Sequence, residues 1–171
     1  MSINPKISAI INDFQNSSYF IKALDHNDIP EVKNLLKAHN HPVSEHNLGL
    51  IIRDMQTESP DTFYLVVYDK ISKQLIGFSN LWYERKYTRG LCILLHIGQI
   101  FVSLTVPPTQ AAEVEYFLVD SLTQLGMKIK DCYKSTMHIH SDRSSRYKQI
   151  NYEKSEVHMA LYHYAKPKQS L

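Results

Sequence analysis

Apolar side chains recur three and four residues apart in several stretches of the chain, separated by short β-branched and aromatic runs. The first spacing is that of a helix with one apolar face, and the second that of strands. Ile3, Ile7, Ile10, Ile11 and Phe14 make the first helical stripe, with Asn4, Lys6 and Asp13 away from it. It predicts an N-terminal helix docked on the rest of the chain. A short strand follows over residues 19–24. Asp28-Ile29-Pro30-Glu31 then opens a helix, with Asp28 as cap, Pro30 in the first turn and Glu31 completing a box-like arrangement; it buries Ile29, Val32, Leu35 and Leu36. A second helix opens at Ser44, presents Leu48, Ile51, Ile52 and Met55 on one face, and ends before Pro60 and Asp61.

Residues 62–68 and 75–83 are β-branched and aromatic around the polar link 69–74, which predicts an antiparallel hairpin. After a polar loop over 84–90 comes a third strand within 91–106, long enough to bend, with Gly98 in its middle as a bulge or close approach and Pro107-Pro108 at its end. Val114, Phe117, Leu118, Leu122 and Leu125 form a helical stripe that Gly126 is placed to terminate. A strand over 135–140, a short helix over 143–150 and a last strand over 157–164 complete the chain before a polar tail. Consecutive strands with helices inserted at both ends predict an α/β fold: a single mixed, mostly antiparallel sheet flanked by helices, with an extra N-terminal helix. The expected organisation is a helix in 1–18, one domain in 19–164 and a tail in 165–171.

Composition narrows the class. A chain of 171 residues with 43% hydrophobic and 11% aromatic side chains supports a core without disulfide or metal staples. Nineteen basic against seventeen acidic residues leave a formal charge of +2, too little to drive nucleic-acid binding. Cys92 and Cys132 have no paired spacing and no secretory segment precedes them, which points to a reducing, cytoplasmic setting; the longest apolar runs are far too short to span a membrane. Five glycines are under half the usual share of about 7%, so each glycine marks a special position.

Tyr147-Lys148-Gln149-Ile150-Asn151-Tyr152 follows a strand and a short helix, and Thr105-Val106-Pro107-Pro108-Thr109-Gln110-Ala111-Ala112-Glu113-Val114-Glu115 joins the long strand to the next helix. Together with Phe20-Ile21-Lys22-Ala23-Leu24 and Asp28-Ile29-Pro30, they resemble the GCN5-related N-acetyltransferase (GNAT) family over residues 19–164. The first motif is similar to the family's Tyr-x-x-x-Gly-Phe signature with Asn151 at the glycine, a residue that tolerates positive φ. The second is similar to Val-x-Pro-x-x-Arg/Gln-x-x-Gly-x-Gly/Ala, whose amides bind the pyrophosphate of acetyl-CoA at a helix N-terminus. Pro107 and Gln110 keep that pattern, while Glu113 and Glu115 stand at its glycines. Two unit charges 4 Å apart at an effective dielectric near 20 repel by about 4 kcal/mol, so carboxylates there oppose phosphate. No glycine lies between Gly98 and Gly126.

The resemblance implies acetyl-CoA as acyl donor, with pantetheine lying along the bent strand at Phe101, Val102, Ser103, Leu104 and Thr105, phosphates at Gln110, Ala111, Ala112, Glu113, Val114 and Glu115, and a further contact at Asp142. Tyr147 takes the position of the acid that protonates the departing thiolate; its structural alternative is a packed ring with a bonded hydroxyl. The family's strand glutamate falls near Ile100, and neither Ile100 nor Gln99 nor Phe101 can accept a proton. His96, Glu84 or water is left as base, against a hydrogen-bonded structural role for the histidine. Arg143, Arg146 and Lys148 could hold phosphates from a helix face.

Other clusters carry blander expectations. His39, His41 and His46 between the first two helices, and His138 and His140 on one strand face, lack the convergent ligand set of a metal site and read as titratable surface groups. Trp82, Tyr83, Tyr87, Arg85, Lys86 and Arg89 read as a hairpin tip rather than an RNA surface. The expected function is acetyl-CoA-dependent N-acetyl transfer to an unidentified small-molecule or peptide amine, in a chain that the resemblance allows to be a homodimer. The alternative is a non-catalytic GNAT-like domain that binds a protein or other ligand.

Overall fold

The computed structural model describes residues 5–57, 60–87, 92–137, 147, 148 and 152. The chain divides into two compact units, Met1–His138 and Ile139–Leu171. The first unit contains α1 (Pro5–Asn12), β1 (Tyr19–Ala23), a 3-10 turn (His26–Asp28), α2 (Ile29–Ala38), α3 (Glu45–Met55), β2 (Thr62–Asp69), β3 (Leu75–Lys86), β4 (Cys92–Ile97), β5 (Phe101–Val102), α4 (Pro108–Ile129) and β6 (Lys134–Met137). The six strands form one sheet in the order β1-β2-β3-β4-β6, with β5 also paired to β3. Every pairing is antiparallel except β4 with β6. The mixed, mostly antiparallel sheet and the extra N-terminal helix are therefore as the sequence pattern predicts.

The sheet has two apolar faces because its buried strands carry apolar residues in both phases of the two-residue repeat. Leu65, Val67, Leu81, Tyr83, Leu95 and Ile97 pack with Ile7 and Ile11 of α1 and with Val114, Leu118, Leu122 and Leu125 of α4. Val66 and Phe78 pack on the other face with Val32, Leu35 and Leu36 of α2 and Leu48, Ile52 and Met55 of α3. Ser44 caps α3 as expected, accepting from the Asn47 N–H at 3.1 Å.

Three local features differ from the sequence pattern. The cap before α2 is Asp25, which accepts from the Asn27 N–H at 2.7 Å, while Asp28 closes the box by accepting from the Asp25 N–H at 2.8 Å. Asp28 makes no cap bond to α2; buried, it instead accepts from the Tyr68 hydroxyl at 2.6 Å and pairs with Lys22 at 2.8 Å. Gly126 does not end α4, which runs on to Ile129. It is needed inside the helix because Leu95 packs against it, and a Cβ there would meet Leu95 Cδ2 at 2.4 Å. The long third strand is two pieces, β4 and β5, separated by residues 98–100.

Among the described residues no helix is long and apolar enough to cross a membrane. The expected helix at 143–150 and strand at 157–164 fall largely or wholly outside the described residues.

Candidate active site

Alternation along β3 and β4 turns Leu81, Tyr83, Leu95 and Ile97 toward α4 and leaves Asn80, Trp82, Glu84, Leu94 and His96 on the opposite face. His96 lies in register with Trp82 on β3 and with Thr136 on β6. Its ring stacks on the indole, with centroids 5.1 Å apart and planes 12° from parallel. Nε2 is 2.8 Å from Glu84 Oε2, and Nδ1 is 2.8 Å from Thr136 Oγ1. An ionised carboxylate only accepts, so Nε2–H donates to Glu84, and in the neutral ring Nδ1 accepts from the Thr136 hydroxyl. Lys86, 2.6 Å from the other Glu84 oxygen, and then His96 hold the Glu84 carboxyl below its ordinary range. With 17% of its side chain exposed against 41% for Glu84, His96 is partly sheltered yet reachable. A carboxylate on one nitrogen and a hydroxyl on the other make a chain that can take up a proton at Nδ1 and stabilise the imidazolium that results.

Glu84 and Lys86 sit in β3 rather than in a hairpin-tip loop, and Tyr83 faces away from Trp82. The Tyr83 hydroxyl donates to the Gly126 carbonyl at 3.0 Å, burial pushes it above the ordinary phenol range, and Lys130 lies over its ring at 4.4 Å. Within β3, Trp82 and Lys86 thus lie on one face and Tyr83 and Arg85 on the other, and Arg89 lies outside the described residues.

The parallel ladder joins Leu94 to Lys134 through Ile97 to Met137, and beyond Ile97 the chain steps out through residues 98–100 before rejoining β3 as β5. Gly98 makes the step possible. Its N–H donates to the Asn80 carbonyl at 2.7 Å, and a Cβ there would lie 2.0 Å from Asn80 Oδ1. Just after β5 the Ser103 N–H donates to the Ile76 carbonyl at 2.9 Å, and Val102 in β5 is opposite Gly77. By the alternation of an antiparallel ladder, the N–H and C=O of Val102 point away from β3. His39, at the C-cap of α2, donates from Nε2 to that carbonyl at 2.8 Å. His39 and His41 both meet the Phe101 ring edge-on, at 5.5 and 5.3 Å.

Of the three histidines expected as surface groups between the helices, His41 and His46 are exposed while His39 is half-buried, and His46 lies within α3. No spacing in the sequence announces the bond between His39 and Val102, which joins positions 63 residues apart. Among the described residues no group of three or more His, Cys, Asp or Glu could hold a metal.

The segment that the resemblance assigns to phosphate lies in α4. The helix begins at Pro108, the Ala111 N–H already donates to the Pro107 carbonyl at 2.8 Å, and Ala112, Glu113, Val114 and Glu115 follow within the helix. Glu113 accepts from the Tyr19 hydroxyl at 3.0 Å, and Gln110 donates to Asp69 Oδ2 at 3.2 Å. Burial first and Glu113 second push the Tyr19 hydroxyl up to about 12. Ser72, through its backbone N–H first and its hydroxyl next, holds the Asp69 carboxyl below its ordinary range. The Ser103 and Thr105 hydroxyls bond one another at 2.8 Å, while Leu104 is 67% exposed. The structure therefore turns the Val102 N–H and C=O outward, folds Ser103 to Val106 into a turn, and commits Gln110 and Glu113 to neighbours in the fold.

In the second unit, Tyr147 is buried and its carbonyl accepts from the Tyr152 N–H at 3.1 Å. Asp142, His138, His140, Arg143, Arg146 and Asn151 lie outside the described residues.

No protein-family model matches this chain, nor does any curated protein sequence. Solved structures do match. A Trypanosoma brucei acetyltransferase is 22% identical with a TM-score of 0.68, over 84% of this chain and 99% of its own. Glucosamine-6-phosphate N-acetyltransferase from Arabidopsis thaliana is 18% identical with a TM-score of 0.66, over 86% and 99% of the two chains. A GNAT family acetyltransferase from Staphylococcus aureus is 13% identical with a TM-score of 0.61, over 85% and 98%. The fold of this chain is that of the GNAT acetyltransferases.

Proposed function

We propose that this chain, on its acetyltransferase fold, is a divergent GNAT member that transfers an acetyl group from the thioester of acetyl-CoA to an amine. The assignment rests on the hydrogen-bonded chain Glu84–His96–Thr136, set on one face of the sheet beside the place where β4 gives way to the outward-turned edge of β5. An acetyl thioester laid along that edge pairs with main-chain groups in the manner of an added strand. The acceptor nitrogen attacks the thioester carbonyl carbon and loses a proton to His96 Nδ1, directly or through the Thr136 hydroxyl. Glu84 holds the ring in the tautomer that can accept it. As the tetrahedral adduct collapses, the carbon–sulfur bond breaks and the thiolate takes a proton. Tyr147 is assigned that donor role from its place in the Tyr147 to Tyr152 motif.

A non-catalytic binding role is favoured by one observation, the enclosure of Ala111 to Glu115 in α4. Release of free thiol from acetyl-CoA, measured against a panel of primary amines, separates the two. Transfer to at least one amine is expected, with His96→Gln lowering kcat by about 10²–10⁴-fold, the usual contribution of a positioned base. Binding of acetyl-CoA without amine-dependent thiol release would establish the non-catalytic role.

A further inference from the structure

A CoA thioester has an uncharged pantetheine arm, whose amides suit main-chain pairing, and a nucleotide end whose phosphates carry most of its charge. The two ends meet different chemistry here. At β5 the Val102 N–H points away from β3, and its carbonyl, already bonded to His39, retains a second lone pair. That edge fits the arm.

The start of α4 does not fit the phosphates. A helix N-terminus binds anions through amides without intrahelical partners. Pro107 and Pro108 have no N–H to give and the Ala111 N–H is spent on the Pro107 carbonyl, so the first turn offers an anion only the Thr109 and Gln110 amides, and the next four lie within the helix. Two carboxylates border the same place. Glu113 is held by the Tyr19 hydroxyl, and Asp69, which also acts electrostatically on Tyr19, is held by Gln110. These contacts tie α4 to the ends of β1 and β2, a structural task that leaves negative charge where a phosphate would have to lie.

Resting on the acyl-transfer proposal, we infer that the donor is gripped by its pantetheine arm alone, so that a pantetheine thioester lacking the nucleotide binds as well as acetyl-CoA. Glu113 and Asp69 then belong to the clasp that seats α4, not to a ligand site.

Calorimetric titration of the full chain with S-acetylpantetheine, acetyl-CoA and adenosine 3′,5′-bisphosphate tests this. The two thioesters are expected to bind within about threefold of one another, and the bisphosphate not to bind at millimolar concentration. Acetyl-CoA binding thirtyfold or more tighter than S-acetylpantetheine, or saturable binding of the bisphosphate, would overturn the inference while leaving acyl transfer intact. Failure of both thioesters to bind at millimolar concentration would overturn the acyl-transfer proposal and this inference with it. Glu113→Gln, which keeps a hydrogen-bonding group for Tyr19, is expected to leave the ratio of the two affinities unchanged. A tenfold gain confined to acetyl-CoA would place the phosphates beside Glu113 and contradict the clasp.

Discussion

His96 has a carboxylate on one ring nitrogen, a hydroxyl on the other and an indole beneath it, so its position is set from three sides by Glu84, Thr136 and Trp82. Glu84 acts through His96 rather than on the substrate, which makes it a positioning residue. Glu84→Gln keeps an acceptor but removes the charge, and kcat is expected to fall by about tenfold with KM for the thioester unchanged, measured by steady-state thiol release. A rise in KM alone would assign Glu84 to binding. At the same scale, the Ser79 hydroxyl on β3 is fully buried and has no hydrogen-bond partner among the described residues. An unpaired buried hydroxyl costs about 1–3 kcal/mol, so Ser79→Ala is expected to raise the urea midpoint without changing the slope.

Helix α4 shows where local pattern stops being informative. Its stripe from Val114 to Leu125 is legible because one helical face meets the sheet, but Gly126 looks like a terminator until Leu95, 31 positions earlier in the chain, is placed against it. A methyl at Gly126 trades a helix-propensity gain of about 1 kcal/mol against an overpacking cost of about 1–3 kcal/mol. Gly126→Ala is accordingly expected to lower stability in chemical denaturation, and a rise would mean that Leu95 can move aside. The β2–β3 hairpin was legible because its two runs are bounded by a polar link, although β3 continues past the expected end at Tyr83 to Lys86 and the register shifts between Val67 and Tyr68. The division of the next strand at residues 98–100 was signalled only by Gly98, because the Asn80 group that demands the glycine lies on a neighbouring strand. Asp25 and Asp28 illustrate the same limit: both suit a cap and both pair with Lys22, and the Tyr68 hydroxyl, on a distant strand, is what draws Asp28 into the interior. His96 was readable as a candidate by residue type alone, whereas its partners Glu84 and Thr136 required the strand order.

Across the whole molecule, lysines join carboxylates on separate parts of the first unit. The Asp61 carboxyl is held below its ordinary range by Lys130, that of Glu84 by Lys86 and then His96, and that of Asp25 by Lys22 and backbone amides against the opposing effect of burial. A carboxyl depressed in the folded state adds stability above its unfolded pKa, near 4, and loses it as pH falls toward the folded value. The melting temperature should therefore hold steady from these pairs down to about pH 5 and fall below about pH 4; a loss confined to pH 5–7 would assign acid sensitivity to the histidines instead. The central claim is that an acyl thioester lies along the outward edge of β5 beside His96. Titrating isotope-labelled protein with acetyl-CoA while following backbone amide and histidine ring resonances tests it most directly. Saturable shifts are expected at residues 98–105 and at His39 and His96, whereas shifts confined to other surfaces, or none at millimolar ligand, would contradict the account.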